Sequence, residues 1–279
     1  MSATEDIFNA ISKQLEEGVV PWHKPWVARP SMIINHYNGT PYTGLRNRML
    51  LGCAGEYATM HQINSEGGRV KKGSKGHRVY FSKTYNKEND DGEKDIVYVL
   101  RAFTVFHISD TTLEPKFAHI WSAPPPADCD AKPVLEEYAT RANLGVRWGG
   151  DSAHYSPSHR YIIVPDERDF ESREEFWGAV FHELGHSTEI FCSRKYEYAK
   201  EELVAELCAC LCLGHIGMTP TVKNSAAYIA SWKSRIHDIK PNDFADACRS
   251  AEWAYKTIFN INKKDSDNEN LRQVRQEAE

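Results

Sequence analysis

The pentapeptide His182-Glu183-Leu184-Gly185-His186 constrains this chain more than any other stretch, because it fits the HExxH pattern of zinc hydrolases. Just before it, Ser172-Arg173-Glu174-Glu175 reads as a capping box that opens a helix. Phe176, Val180 and Leu184 recur at helical spacing, which predicts the pentapeptide inside a buried helix. Residues four apart on a helix lie one turn above each other. His182 and His186 can therefore offer two imidazole nitrogens to one metal ion. Glu183 sits one step round, where a carboxylate can act as a base without being a ligand.

A tetrahedral catalytic zinc needs a third protein ligand and one open position. Glu201-Glu202-Leu203-Val204-Ala205-Glu206-Leu207 supplies the best candidate, in a second helical stretch that is apolar at Leu203, Val204, Leu207 and Leu211. Glu202 and Glu206 are four apart and can face the same way. Glu202 is then the ligand, and Glu206 accepts the ring N–H of a metal-bound histidine and fixes its tautomer. Glu197, Tyr198 and Glu201 are rival positions for the third ligand. Cys208, Cys210 and Cys212 alternate in the same apolar stretch and read as buried packing residues.

A composition of 41% hydrophobic and 26% charged residues over 279 positions suits one large or two small globular domains. Seven cysteines without framework spacing fit a reducing cytoplasm. No apolar run is long enough to span a bilayer, and no charged-then-apolar leader is visible, so no membrane partner is expected. Charge is uneven: residues 1–120 hold 15 Lys/Arg against 13 Asp/Glu, and the remainder holds 19 against 26.

The basic excess concentrates in one place. From Arg69 to Lys87 there are seven Lys/Arg and no acid. Arg69, Lys71, Lys72, Lys75 and Arg78 alternate with glycines at 67, 68, 73 and 76, which reads as a strand, a glycine-rich turn and a second strand. Tyr80, Phe81 and Tyr85 add rings on which bases can stack. Basic residues interleaved with aromatics suit single-stranded nucleic acid. Upstream, a tight turn at Gly44 runs into a short helix whose start, with Arg46, Asn47 and Arg48, could bind phosphate. In Pro21-Trp22-His23-Lys24-Pro25-Trp26 the tryptophans either clamp an extended path to the domain body or offer stacking faces.

Asn86 to Asp95 reads as an exposed loop, and Ile96–Leu100 and Ala102–Ile108 as strands. Ser122 to Pro133, with three consecutive prolines, is the clearest linker. Beyond it come a helix around Pro133–Arg141 and a short strand at Tyr161–Val164, expected at the edge of the cleft. Tyr155 or His154, just before that strand, could polarise a scissile carbonyl. Helical periodicity resumes at Ala226–Trp232 and Phe244–Phe259.

The chain resembles the ArdC-type antirestriction proteins of plasmids and phages over nearly its whole length. The resemblance rests on Glu17-Gly18 followed by Pro21-Trp22 and Lys24-Pro25-Trp26, on Tyr42-Thr43-Gly44-Leu45 with Asn47, and on Gln62-Ile63. Gly67 to Gly73, Val105-Phe106, Tyr155 to Pro165, His182 to His186, Glu201 to Leu207, and Tyr228-Ile229 with Ser231-Trp232 extend it. It implies an α+β chain of two domains: a small α+β single-stranded-DNA-binding domain with β-hairpins over 1–122, and a mostly helical zincin-like metallopeptidase domain over 134–261. A linker at 123–133 joins them, and a polar tail follows from 262. The expected partners are single-stranded DNA and a host restriction-related protein as peptidase substrate. The alternative is a DNA-binding protein whose zinc is structural or vestigial.

Overall fold

Ser2 caps the first helix, α1 (Ala3–Glu16), in a reciprocal capping box with Glu5. Ile7, Ile11 and Leu15 fall four apart on its inner face and are fully buried. A single helical turn at Pro21–His23 and the short α2 (Pro25–Ala28) follow, each started by a proline whose missing N–H costs nothing at a helix's first position. The computed structural model describes residues 2–42, 44–88, 94–123, 130–192, 196–219 and 226–261. The side chains of 82–99 and 226–229 lie outside the description, as do Tyr85's ring, much of the proline-rich linker and the tail from 262.

The N-terminal part is built on a four-stranded sheet in the order β1-β2-β4-β3. These strands are β1 (Ile33–Asn35), β2 (Gly55–Thr59), β3 (His77–Glu88) and β4 (Lys94–His107), with β1 parallel to β2 and the other pairs antiparallel. Helices α3 (Leu45–Leu50), α4 (Met60–Ser65) and α5 (Ala118–Trp121) surround it. Two sequence expectations are corrected here. The basic segment 69–76 is not a strand of a hairpin with 77–81. It is a loop pinned to 109–112, with the Lys71 amide donating to the Asp110 carbonyl (2.8 Å) and the Thr112 amide to the Arg69 carbonyl (2.9 Å). The true hairpin pairs β3 with β4 in register from His77↔Val105 to Glu88↔Lys94, so both ends of the segment expected as a loop at 86–95 are strand, and the two expected strands are one.

A buried ionic cluster locks the end of this part. Glu56 accepts from the backbone amides of Lys116 (3.0 Å) and Phe117 (2.6 Å), from Trp121 Nε1 (3.2 Å) and from His36 Nδ1 (2.5 Å). His36 Nε2 meets Glu66 at 3.3 Å, and Glu66 also pairs with Lys116. Burial pushes the Glu56 carboxyl up, but the donors outweigh it and hold the group below the usual carboxylate range.

The C-terminal part comprises α6 (Ala131–Ala142), β5 (Gly145–Trp148), β6 (His154–Ser156), β7 (Tyr161–Val164), α7 (Arg173–Ser187), α8 (Tyr198–His215), α9 (Ala226–His237) and α10 (Pro241–Ile258). The sheet order β5-β7-β6 makes Tyr161–Val164 the central strand and not an edge; the edges are β5 and β6, and β6 carries Tyr155. The main hydrophobic core joins both parts: Ile7, Ile11, Leu15, Trp22 and Val27 pack with Phe181, Leu207, Trp232 and Phe244. Trp22 meets Trp232 edge-on at 5.1 Å, so this tryptophan clamps the chain. Losing such a buried ring costs about 3–5 kcal/mol. Among the described residues, no helix is long and apolar enough to cross a membrane.

Candidate metal centre and nucleic-acid surface

Helix α7 starts where Ser172 Oγ accepts from the Glu175 amide at 3.2 Å. The Glu175 carboxylate reaches the Glu171 amide (3.3 Å), so the reciprocal half of the predicted capping box is not made with Ser172. Further along, α7 lies against α8 closely enough that a Cβ on Gly185 would stand 3.0 Å from Ala205 Cα. Glycine lets the backbones approach without the shift of a few tenths of an ångström that a methyl there would demand, and the approach brings the histidines of one helix to the glutamates of the other.

His182 Nε2 and His186 Nε2 are 3.2 Å apart, and His186 Nε2 lies 3.5 Å from Glu202 Oε1. Donor atoms of His182, His186 and Glu202 all fall within 4.8 Å of one another. Ligands at about 2.0–2.1 Å from a tetrahedral ion would stand about 3.3 Å apart. The three donors therefore fit a divalent metal, and two nitrogens with one oxygen are a set that zinc accepts. Arg235 takes the other Glu202 oxygen at 3.1 Å, leaving Oε1 turned to the histidines.

Each imidazole also has a carboxylate at its back. Glu206 Oε2 faces His182 Nδ1 at 3.6 Å, and Glu201 Oε1 faces His186 Nδ1 at 3.4 Å. Burial raises the Glu206 carboxyl, but His182 and His23 more than reverse this and keep it ionised. Burial lowers His186, yet Glu201 and Glu202 lift it to about 9 in the metal-free chain. His186 holds Glu202 below the carboxylate range. Of the rival third ligands, Glu201 is behind His186 and Tyr198 is an exposed ring beside Arg235; Glu197 caps α8.

Glu183 is buried, and desolvation pushes its carboxyl above the ordinary range, partly offset by His182, His186 and the Tyr155 backbone. A base with raised proton affinity suits work near neutral pH. Burial and Glu189 push the Tyr155 phenol up to about 12, so it stays protonated. Glu189 was missed in the sequence, although its i, i+3 spacing from His186 puts it on the same flank. With Thr188, His186, Glu201 and Trp253 it lines a cavity of about 300 Å³ beside the histidines. His154 is exposed on the edge strand.

In the N-terminal part, Arg69, Lys71, Lys72, Lys75 and Arg78 are exposed. Lys71 also donates to the Ser109 carbonyl (2.8 Å), and Arg78 pairs with Asp6 at 3.4 Å. Two expected nucleic-acid contacts, Tyr80 and Asn47, are buried. Tyr80 is only 7% exposed. Asn47 is buried and spends its amide on the Tyr80 backbone, accepting from N–H at 2.8 Å and donating to the carbonyl at 2.9 Å. The start of α3 is filled from inside, because the Leu45 amide donates to Glu252 at 2.7 Å; Arg46 is half-buried beside Cys248. On the hairpin, Phe81 (38%) and Phe103 (42%) are exposed rings 5.9 Å apart, with Arg101 exposed opposite Phe81 in the register. Strand alternation carried this signal: Tyr80 and Phe81 must point to opposite faces.

Residues 1–106 match the N-terminal domain of anti-restriction factor ArdC, and residues 133–248 match a zincin-like metallopeptidase domain. The crystal structure of antirestriction ArdC protein from the R388 plasmid is similar in both its metal-free form (TM-score 0.66, 26% identity, 94% of this chain and 100% of that one) and its Mn(II)-bound form (0.66, 25%, 92% and 97%). Two Escherichia coli proteins named DNA primase TraC are 28% and 26% identical over 93% and 99% of this chain. The chain spans only 20% and 29% of their lengths. An uncharacterized protein, y4eC, of Sinorhizobium fredii is 23% identical over 90% of this chain and 92% of its own.

Proposed function

The chain belongs to the ArdC-type antirestriction family, and from that premise we propose that it binds single-stranded DNA with residues 1–122 and hydrolyses a peptide bond at a zinc site in residues 134–261, protecting incoming plasmid or phage DNA in the host cytoplasm. The observation that carries the catalytic half is the convergence of His182 Nε2, His186 Nε2 and a Glu202 oxygen next to the buried Glu183. These three residues would hold the ion, with Glu206 and Glu201 fixing the imidazole rings. When bound, the ion supplies a Lewis acid that acidifies water and polarises a carbonyl. Glu183 takes the proton of the attacking water and passes it to the leaving amine. The edge strand β6 offers its backbone to an extended peptide. Tyr155 stays protonated with its O–H donated to Glu189, and on substrate binding it turns that one proton from Glu189 to the developing oxyanion. The substrate in this reading is a host restriction-related protein.

The DNA half rests on the basic loop 69–76 with Arg78 at the start of β3, and on the exposed Phe81, Phe103 and Arg101 on one face of the hairpin. Lysines neutralise phosphates and open rings stack on bases without choosing a sequence. That surface is separate from the metal centre, which favours a second reading: a DNA-binding protein whose metal is structural. Glu183→Gln decides between them. The variant keeps side-chain size and should fold, hold one metal per chain and bind single strands like the parent. In the enzymatic reading, cleavage of the target and protection in a restriction assay both fall by at least ~10²-fold. Full protection by Glu183→Gln would assign the function to DNA binding alone.

A further inference from the structure

One support of the metal centre comes from the far end of the chain. Glu206 presents one oxygen to His182 Nδ1 at 3.6 Å and the other to His23 Nε2 at 3.0 Å. The carboxylate bridges two imidazoles that belong to opposite parts of the protein, and His23 lies 183 residues before Glu206. His23 is buried and fixed on both sides. Before it, Trp22 is sealed against Trp232. After it, α2 lies on α8 so tightly that a Cβ on Gly214 would stand 2.2 Å from Ala28 Cβ. A turn wedged in this way cannot swing His23 off Glu206 without uncovering the tryptophan.

A half-buried carboxylate with a free rotamer would let the His182 ring turn; one tied at its second oxygen does not. We propose that His23 is a positioning residue of the metal centre: its ring N–H donates to Glu206, which holds His182 in the tautomer and rotation that point Nε2 at the metal. The proposal rests on His182 as a ligand. It means that residues 134–261 do not contain the whole metal centre.

The same His23, Glu206 and Cys210 also have donor atoms within 4.8 Å of one another, so a second metal held by His23 is the competing outcome. Full-length parent, His23→Gln, His23→Asn and His23→Leu are stripped with a chelator and titrated with Co²⁺, read by d–d absorption. Zn²⁺ affinity is measured by chelator competition, and metal-free melting monitors the fold. Glutamine places an N–H donor where Nε2 stood; asparagine carries the same amide one methylene short; leucine has none.

The expected result is one metal per chain, with His23→Gln within about threefold of the parent. His23→Asn and His23→Leu should bind about 10- to 100-fold more weakly, with a changed Co²⁺ spectrum. His23→Gln and His23→Asn should melt alike without metal. Equal affinity in all four chains overturns the proposal, as does a glutamine variant as weak as leucine. Two metals per parent chain, one lost in every His23 variant, makes His23 a ligand and overturns it too. If the leucine variant does not fold, the glutamine–asparagine pair decides. A parent that binds no metal removes the reading of His182 itself, and is recognised because all four chains then fail together.

Discussion

In the N-terminal part Glu56 gathers a histidine, two backbone amides and an indole, while in the C-terminal part Glu206 stands between two histidines. The residue types are nearly the same; what differs is where the leftover ring nitrogens point. His36 spends both nitrogens on carboxylates, Nδ1 on Glu56 and Nε2 on Glu66, so neither nitrogen is left to face a third group. His182 gives Nδ1 to Glu206 and turns Nε2 toward His186 Nε2, where two like atoms meet with Glu202 close by. One cluster is closed upon itself and ties a segment down. The other converges on a point where a cation would complete it. A buried imidazole–carboxylate pair is thus no sign of function until its second nitrogen is traced.

The strongest way to break this comparison is to remove one histidine from each cluster. His186→Ala should weaken Zn²⁺ binding by about 10²- to 10³-fold, since a four-ligand site shares roughly 10–16 kcal/mol among its ligands. His36→Ala should leave Zn²⁺ affinity as it is and lower the melting temperature instead. Equal metal loss in both, measured by chelator competition, would erase the distinction.

Next in size is Glu56→Ala, which leaves His36 and three donors without their acceptor. Breaking a buried pair of this kind costs about 3–5 kcal/mol. Because the folded Glu56 carboxyl is held below its ordinary value of 4.5, its contribution is complete above that pH and is lost as pH falls through the folded value. Denaturant melts of parent and variant should therefore converge in acid. A gap that stays constant from pH 7 to pH 3 would mean that Glu56 acts by packing alone.

The smallest expected effect concerns the open hairpin, where neither cluster reaches. Phe81→Ala with Phe103→Ala should weaken single-strand binding by about 1–3 kcal/mol per stacked base, while Tyr80→Phe should bind like the parent. Lys71, Lys72 and Lys75 changed together to alanine should flatten the salt dependence of binding. Fluorescence anisotropy with a labelled oligonucleotide reads both. A Tyr80 variant weaker than the phenylalanine pair would put the strand on the opposite face of the sheet.

The metal end was readable from the sequence because its geometry is local. His182 and His186 are one helical turn apart, and so are Glu202 and Glu206; the helix period alone aligns each pair. The N-terminal part was readable in composition but not in arrangement. A glycine-rich basic stretch next to a strand resembles a hairpin arm, yet its Arg69 and Lys71 amides bond to Thr112 and Asp110, and β3 found its partner in β4 instead. Tyr80 and Phe81 read alike in the sequence, because the face of a strand depends on what the sheet packs against, which no short window contains. Tyr155 was noticed, but its strand's place at the sheet edge follows only from the β5-β7-β6 order. His23 was out of reach for the same reason, since nothing within twenty residues of it speaks of metal.

The contact of Gly185 with Ala205 acts as a mechanical stop. With hydrogen as its side chain, Gly185 lets the two helix backbones lie closer than a methyl would allow without a shift of a few tenths of an ångström. That is the interval separating the bond lengths of small and large divalent ions, so Gly185→Ala would move His186 against Glu202 by an amount that a metal held between them would register.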